Sequence, residues 1–103
     1  MNTLIFKEIK SLKRQILPNE KVILFGSQAR GDARVDSDWD LLVLLNKEQG
    51  NFNADYDDYA YPFAELGFKY NTCISTKIYA LREWEAHPSV FRYNVECEGI
   101  EIV

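Results

Sequence analysis

The chain has 103 residues, a formal net charge of −4 and 47% hydrophobic residues. That is enough for one small packed domain and too few residues for two, and it excludes wholesale disorder. The acidic balance disfavours extended DNA or RNA binding, which draws its affinity from a basic face. No apolar run reaches the roughly 20 residues that a membrane helix needs.

In chain order, residues 3–17 read as an amphipathic helix. Ile5, Ile9, Leu12 and Ile16 recur at spacings of three and four, and lysines take the other face. Asn2 or Thr3 is placed to cap its start, and Pro18-Asn19 to end it. Residues 21–25, "KVILF", have the β-branched and aromatic make-up of a short buried strand. Gly26-Ser27 breaks that strand, and residues 27–33 are expected to form a short helix with Ser27 as N-cap. Residues 38–45 form the second strand, and "LLVLL" is apolar on both faces, which places it inside a sheet.

Asn46 to about Asn53 is a polar loop. Residues 54–66 are expected to be helical, with Pro62 starting a second segment and Gly67 as C-cap. Residues 69–80 alternate in character and form a third strand. Residues 81–86 begin a helix, Pro88 opens another running to about Glu96, and "GIEIV" is a short tail or strand. The whole chain, 1–103, reads as a single α+β (α/β-like) domain, a small mixed sheet flanked by helices. Cys73 and Cys97 belong to no CxxC pair and are expected as reduced, mostly buried thiols of a cytoplasmic protein. With one histidine, His87, they make no zinc set. The N-terminal residues show no signal-peptide pattern.

The chemistry concentrates in "GSQARGDARVDSDWD", from Gly26 to Asp40. Strand alternation puts Asp38 and Asp40 on one face, about 6.6 Å apart along the chain. Two neighbouring carboxylates repel and are costly to bury, so they call for a compensating cation. Mg²⁺ suits them, because it takes a few carboxylate oxygens together with waters and phosphates. Gly26 lets backbone approach a ligand, Ser27 offers a hydroxyl and an N–H, and Arg30 can reach back with its guanidinium fork. Each part also has an ordinary structural reading. Gly-Ser ends many strands, "DSD" commonly caps a loop, and Arg34 is equally a solvated surface charge. Their order (strand, Gly-Ser, ten residues, Asp-x-Asp, apolar strand) is what points to a nucleoside-triphosphate site.

These residues resemble the minimal nucleotidyltransferases, the MNT group of the DNA polymerase beta-like superfamily. The matching stretches are Leu24-Phe25-Gly26-Ser27, Ala29-Arg30-Gly31 and Ser37-Asp38-Trp39-Asp40-Leu41-Leu42-Val43. The resemblance implies the polymerase beta-like nucleotidyltransferase fold. It implies that Gly26 and Ser27 hold the triphosphate and that Asp38 and Asp40 bind Mg²⁺. Arg30 and Ser37 would make supporting contacts to phosphate or to the loop. The implied reaction transfers a nucleoside monophosphate, with ATP as the expected donor, to an acceptor and releases pyrophosphate.

The resemblance also implies a third carboxylate on a later strand beside Asp-x-Asp, yet residues 69–80 contain no Asp or Glu. Asn71, Cys73 and Ser75 share the face where it would stand. Three readings stay open. Asp55, Asp57, Asp58 or a partner chain supplies it; the protein binds nucleotide with little or no turnover; or the pair suffices. The resemblance further implies a partner on the acceptor side, a small helical HEPN-type protein for which this chain would be the antitoxin. Tyr56, Tyr59, Tyr61, Phe63, Trp84, Phe91 and Tyr93 could form an interface, although most are expected in the core of so short a chain. A small-molecule nucleotidyltransferase of the aminoglycoside type is a weaker alternative, since no second domain is present to hold that acceptor.

Overall fold

A computed structural model of the chain describes residues 1–34, 37–48 and 50–103, apart from the Phe52 side chain. Val35 and Asp36 of the motif and Gln49 of the polar loop lie outside the described residues. Helix α1 is Thr3–Ile16, and the Asn2 side chain caps it by accepting from the N–H groups of Leu4 and Ile5. Strand β1 (Lys21–Phe25) leads into α2 (Ser27–Arg30) and then β2 (Trp39–Leu45). A helical arm follows, made of α3 (Phe52–Asp55), one π-helical turn (Tyr56–Ala60) and α4 (Tyr61–Lys69). Strand β3 (Ile74–Ala80), α5 (Leu81–Ala86), α6 (Val90–Glu98) and β4 (Ile100–Ile102) complete the chain.

Among the described residues, four strands form one mixed sheet in the order β3-β2-β1-β4. β1 pairs antiparallel with β2 and β4, while β2 pairs parallel with β3 across the helical arm. β2 is therefore interior, as its double-sided apolar pattern implies. Alternation sorts its side chains to two cores. Trp39, Leu41, Val43 and Leu45 join Ile5 and Ile9 of α1 and Phe63 of α4 on one face. Leu42 and Leu44 join Ile23, Phe25, Trp84 and Val95 under α5 and α6 on the other. Among the described residues no helix is long and apolar enough to cross a membrane.

Several local expectations are corrected. Gly26, not Ser27, is the N-cap of α2, and the helix ends at Arg30 on a left-handed Gly31. The 54–66 helix is longer at both ends and passes through a π turn, where the Tyr61 N–H reaches the Tyr56 carbonyl. Pro62 has no N–H to offer the Asp58 carbonyl, so the regular i→i−4 ladder cannot run through this point. Gly67 is buried inside α4 rather than capping it; its carbonyl accepts from Tyr70 and Thr72, and the left-handed residue is Asn71. β3 accordingly starts at Ile74, not at residue 69. Pro88 precedes α6, which Ser89 caps by accepting from the Arg92 N–H.

The cysteines are both free and both exposed, against the expectation of burial. Cys73 sits in the turn before an edge strand, and Cys97 lies off the Phe91–Val95 stripe that α6 turns inward. Of the aromatic set, Phe63 and Trp84 are buried and Tyr59 and Phe91 pack at core edges, while Tyr56, Tyr61 and Tyr93 are exposed.

Candidate active site

Antiparallel pairing sets Phe25, the last residue of β1, opposite Asp40. The chain leaves the sheet at Gly26, so the turn lies directly against the Asp40 side chain. Gly26 has φ +76°, and a Cβ placed on it would lie 2.5 Å from Asp40 Oδ2. Both the left-handed backbone and the close carboxylate require glycine here. The two ends of the motif are thus brought into contact by the β1–β2 register.

Asp40 follows the alternation of Leu42 and Leu44, so it lies on the α5–α6 side of the sheet, at the rim of that smaller core. It is half-buried, and Asp38 before it is exposed. Burial first, and then the charge of Asp38, push the Asp40 carboxyl above the usual carboxylate value; Lys77 and Arg30 pull it back. The pair is therefore short of positive charge. Among the described residues no group of three or more His, Cys, Asp and Glu side chains could hold a metal ion.

Arg30 is exposed and shared between two acids. Its Nε donates to Asp32 Oδ2 at 3.3 Å, and its Nη1 donates to Glu98 at 3.2 and 3.3 Å. Glu98, the last residue of α6, also accepts from the Gly26 N–H at 3.3 Å. Ser37 shapes the loop before β2: its hydroxyl accepts from the Arg34 N–H at 2.7 Å and its carbonyl from buried Gln28 at 3.2 Å. Ser27 opens α2, and its carbonyl accepts from Gly31 and Asp32. Gly26 therefore lies against Asp40 and shares Glu98 with Arg30, Arg30 and Asp38 act on Asp40 through their charges, and Ser37 braces the approach to β2.

Of the three candidates for the third-carboxylate position, the β2–β3 register selects Ser75, which stands opposite Asp40. Lys77 is the next residue on that face and acts electrostatically on Asp40. Asp55 is elsewhere. It is buried, accepts from Lys47 at 2.6 Å and from the Asn51 N–H at 2.7 Å, and lies beyond the far end of β2. Asp58 lines a hollow at that same end, beside Leu45 and Lys47.

Sequence reasoning missed Glu98, Lys77 and Gln28. Only Gln28 carried a signal, being a polar residue inside the motif. A cleft of about 780 Å³ opens on the Trp39 side of the sheet and is lined by Gln28, Arg34, Tyr70 and Cys73 among others.

The sequence profile described as "Nucleotidyltransferase domain" matches residues 5–97. The chain belongs to that family. The match runs from within α1 to within α6 and includes both halves of the motif. The nucleotidyltransferase domain is also similar in fold to a chain in a crystal structure of a toxin–antitoxin with AMP-PNP. The TM-score is 0.66 and the identity 20%, over 100% of this chain and 73% of that one. No curated protein is significantly similar to the nucleotidyltransferase domain in sequence.

Proposed function

We propose that this nucleotidyltransferase domain is a minimal nucleotidyltransferase that binds a divalent-metal nucleoside triphosphate, Mg²⁺ with ATP, and transfers the nucleoside monophosphate to an acceptor. The observation that carries the reading is the contact of Gly26 with Asp40. It sets a glycine turn with a nearby guanidinium beside a carboxylate pair. In this reading Gly26, Ser27 and Arg30 hold the triphosphate, and Ser37 keeps the loop in place. Asp38 and Asp40 suit a divalent cation, because burial and mutual repulsion disfavour the charged Asp40 in its absence. Bound there, such an ion supplies charge neutralisation at the transferring phosphoryl group. Lys77 and Arg30 add fixed positive charge from the protein on either side, which favours an anionic transferring group.

The acceptor, in the same reading, is a residue of a small helical partner of the HEPN type, and the chain is the antitoxin of that cytoplasmic pair. The fold likeness to a toxin–antitoxin chain and the exposed Tyr56, Tyr61 and Tyr93 support it. A second reading is a module that binds nucleotide and partner with little turnover. Ser75 opposite Asp40 favours this reading, since a hydroxyl is neither a strong Mg²⁺ ligand nor a base at neutral pH.

Calorimetric titration with Mg²⁺ and AMP-PNP tests the site, comparing the native chain with the Asp38→Ala/Asp40→Ala variant. Metal-dependent binding by the native chain alone is the expected result, and no binding at high micromolar nucleotide would end the proposal. Incubating the native chain and its genomic neighbour with labelled ATP separates the two readings. Label on the neighbour that disappears in the double variant establishes transfer, and binding without label establishes the module.

A further inference from the structure

Two of the donors that the proposed nucleotide site would offer a phosphate, the Gly26 N–H and the Arg30 guanidinium, are already engaged. One Glu98 carboxylate accepts from the Gly26 N–H at 3.3 Å and from the Arg30 guanidinium at 3.2 Å. These are the contacts a phosphate oxygen makes: a backbone N–H and a charged fork. Glu98 is held there by the junction that follows it. Gly99 has no Cβ, and one would lie 2.5 Å from both Ile23 Cγ2 and the Val95 carbonyl. That close approach lets the chain turn from α6 into β4, which pairs with β1 next to the turn. Glu98 is also at the C-terminal end of its helix, where a negative charge is disfavoured. Its partners on the turn, rather than its own helix, favour its position.

We propose that Glu98 is a specificity-determining residue of this site: it competes with phosphate for Gly26 and Arg30, and selects nucleotides that arrive with a divalent cation. The inference rests on the nucleotide reading above. A metal-free polyphosphate must expel a tethered carboxylate and then sit beside Asp38 and Asp40. A metal-bound one brings less net negative charge against the same carboxylate, so Glu98 opposes it less, and it gains the Asp pair in exchange. Asp32 also neutralises Arg30 without touching Gly26, which provides a matched control.

The test is calorimetric binding of AMP-PNP, in EDTA and in Mg²⁺, to the native chain and to Glu98→Gln, Glu98→Ala and Asp32→Asn. Loss of the Glu98 charge is expected to tighten metal-free AMP-PNP about tenfold, roughly the worth of one charge-assisted hydrogen bond. Mg²⁺-bound AMP-PNP should tighten less, and Asp32→Asn should have a smaller effect than either Glu98 variant. In ¹⁵N NMR spectra of the unliganded chains, Glu98→Ala should shift the Gly26 amide. Unchanged or weaker metal-free binding by both Glu98 variants would overturn the competition while leaving the nucleotide reading intact. No binding by any chain, with or without Mg²⁺, would remove that reading and the competition together.

Discussion

Replacing Asp40 with Asn should make the unliganded protein more stable at neutral pH. The folded chain holds the Asp40 carboxyl above its ordinary value, through burial and then the Asp38 charge. Below the unfolded-state value both states are protonated, and the group costs nothing. As pH rises from there toward the folded-state value, the unfolded chain releases its proton first and stability falls; above the folded value the loss is constant. Asparagine escapes this loss, so the advantage of the variant should be full near neutrality and vanish on acidification. At the ~6.6 Å between residues two apart in an extended strand, two unit charges repel by about 0.6 kcal/mol at the dielectric of water. The exposure of Asp38 makes that the appropriate limit, and the melting temperature should rise by roughly 2–5 °C. Divalent cation should reverse the order. At ten times its dissociation constant Mg²⁺ would add about 1.4 kcal/mol to the native chain and far less to the variant. Scanning calorimetry across pH, with EDTA and with Mg²⁺, reads all of this. A variant no more stable than the native chain at neutral pH in EDTA, or an advantage that does not change with pH, would refute the reasoning.

Other outcomes follow from the same geometry. Gly26→Ala should lower stability by about 1–3 kcal/mol, because it strains a left-handed residue, and denaturant unfolding measures the loss. The same variant should abolish the Mg²⁺-dependent rise in melting temperature, since its Cβ would displace the Asp40 carboxylate. Ser75→Asp puts a carboxylate opposite Asp40, so it should be less stable than the native chain in EDTA and gain more from Mg²⁺. An unchanged Mg²⁺ response in that variant would mean that Ser75 does not face the pair. Cys73 and Cys97 should both react with a thiol reagent in the native chain at rates close to those of the unfolded chain, where buried thiols would lag.

α1, β1 and the interior strand β2 were legible because short-range patterns determine them. Apolar periodicity fixed β1, and the double-sided "LLVLL" gave the interior place of β2. The elements that were misjudged depend on where a helix stops. Gly67 looked like an end, but the arm runs to Lys69 because Asn71 takes the left-handed position. That difference shifts the start of β3 and with it the choice among Asn71, Cys73 and Ser75, which no periodicity within residues 69–80 could make. Glu98 was out of reach for another reason. It meets Gly26 only through the pairing of β4 with β1, a contact that spans most of the chain and leaves no local trace in the sequence.

The charges that gather at the turn bear on how the proposed site would work. Asp32, Asp38, Asp40 and Glu98 supply the negative side, Arg30 and Lys77 the positive, so these side chains together carry two more negative than positive charges. A triphosphate arriving alone would add to that excess in a half-buried setting, where repulsion is screened less than on an open surface. One divalent cation cancels it. Metal would then enter before the nucleotide or with it, and nucleotide affinity should rise with metal concentration until the Asp pair is saturated. The positions of Lys77 and Ser75 sharpen the point. Where the family resemblance implies a third carboxylate, this chain presents a hydroxyl and then an ammonium, which lowers the demand for cation charge instead of raising it. In the proposed reading the Asp pair would therefore hold a metal ion chiefly together with the phosphates that accompany it.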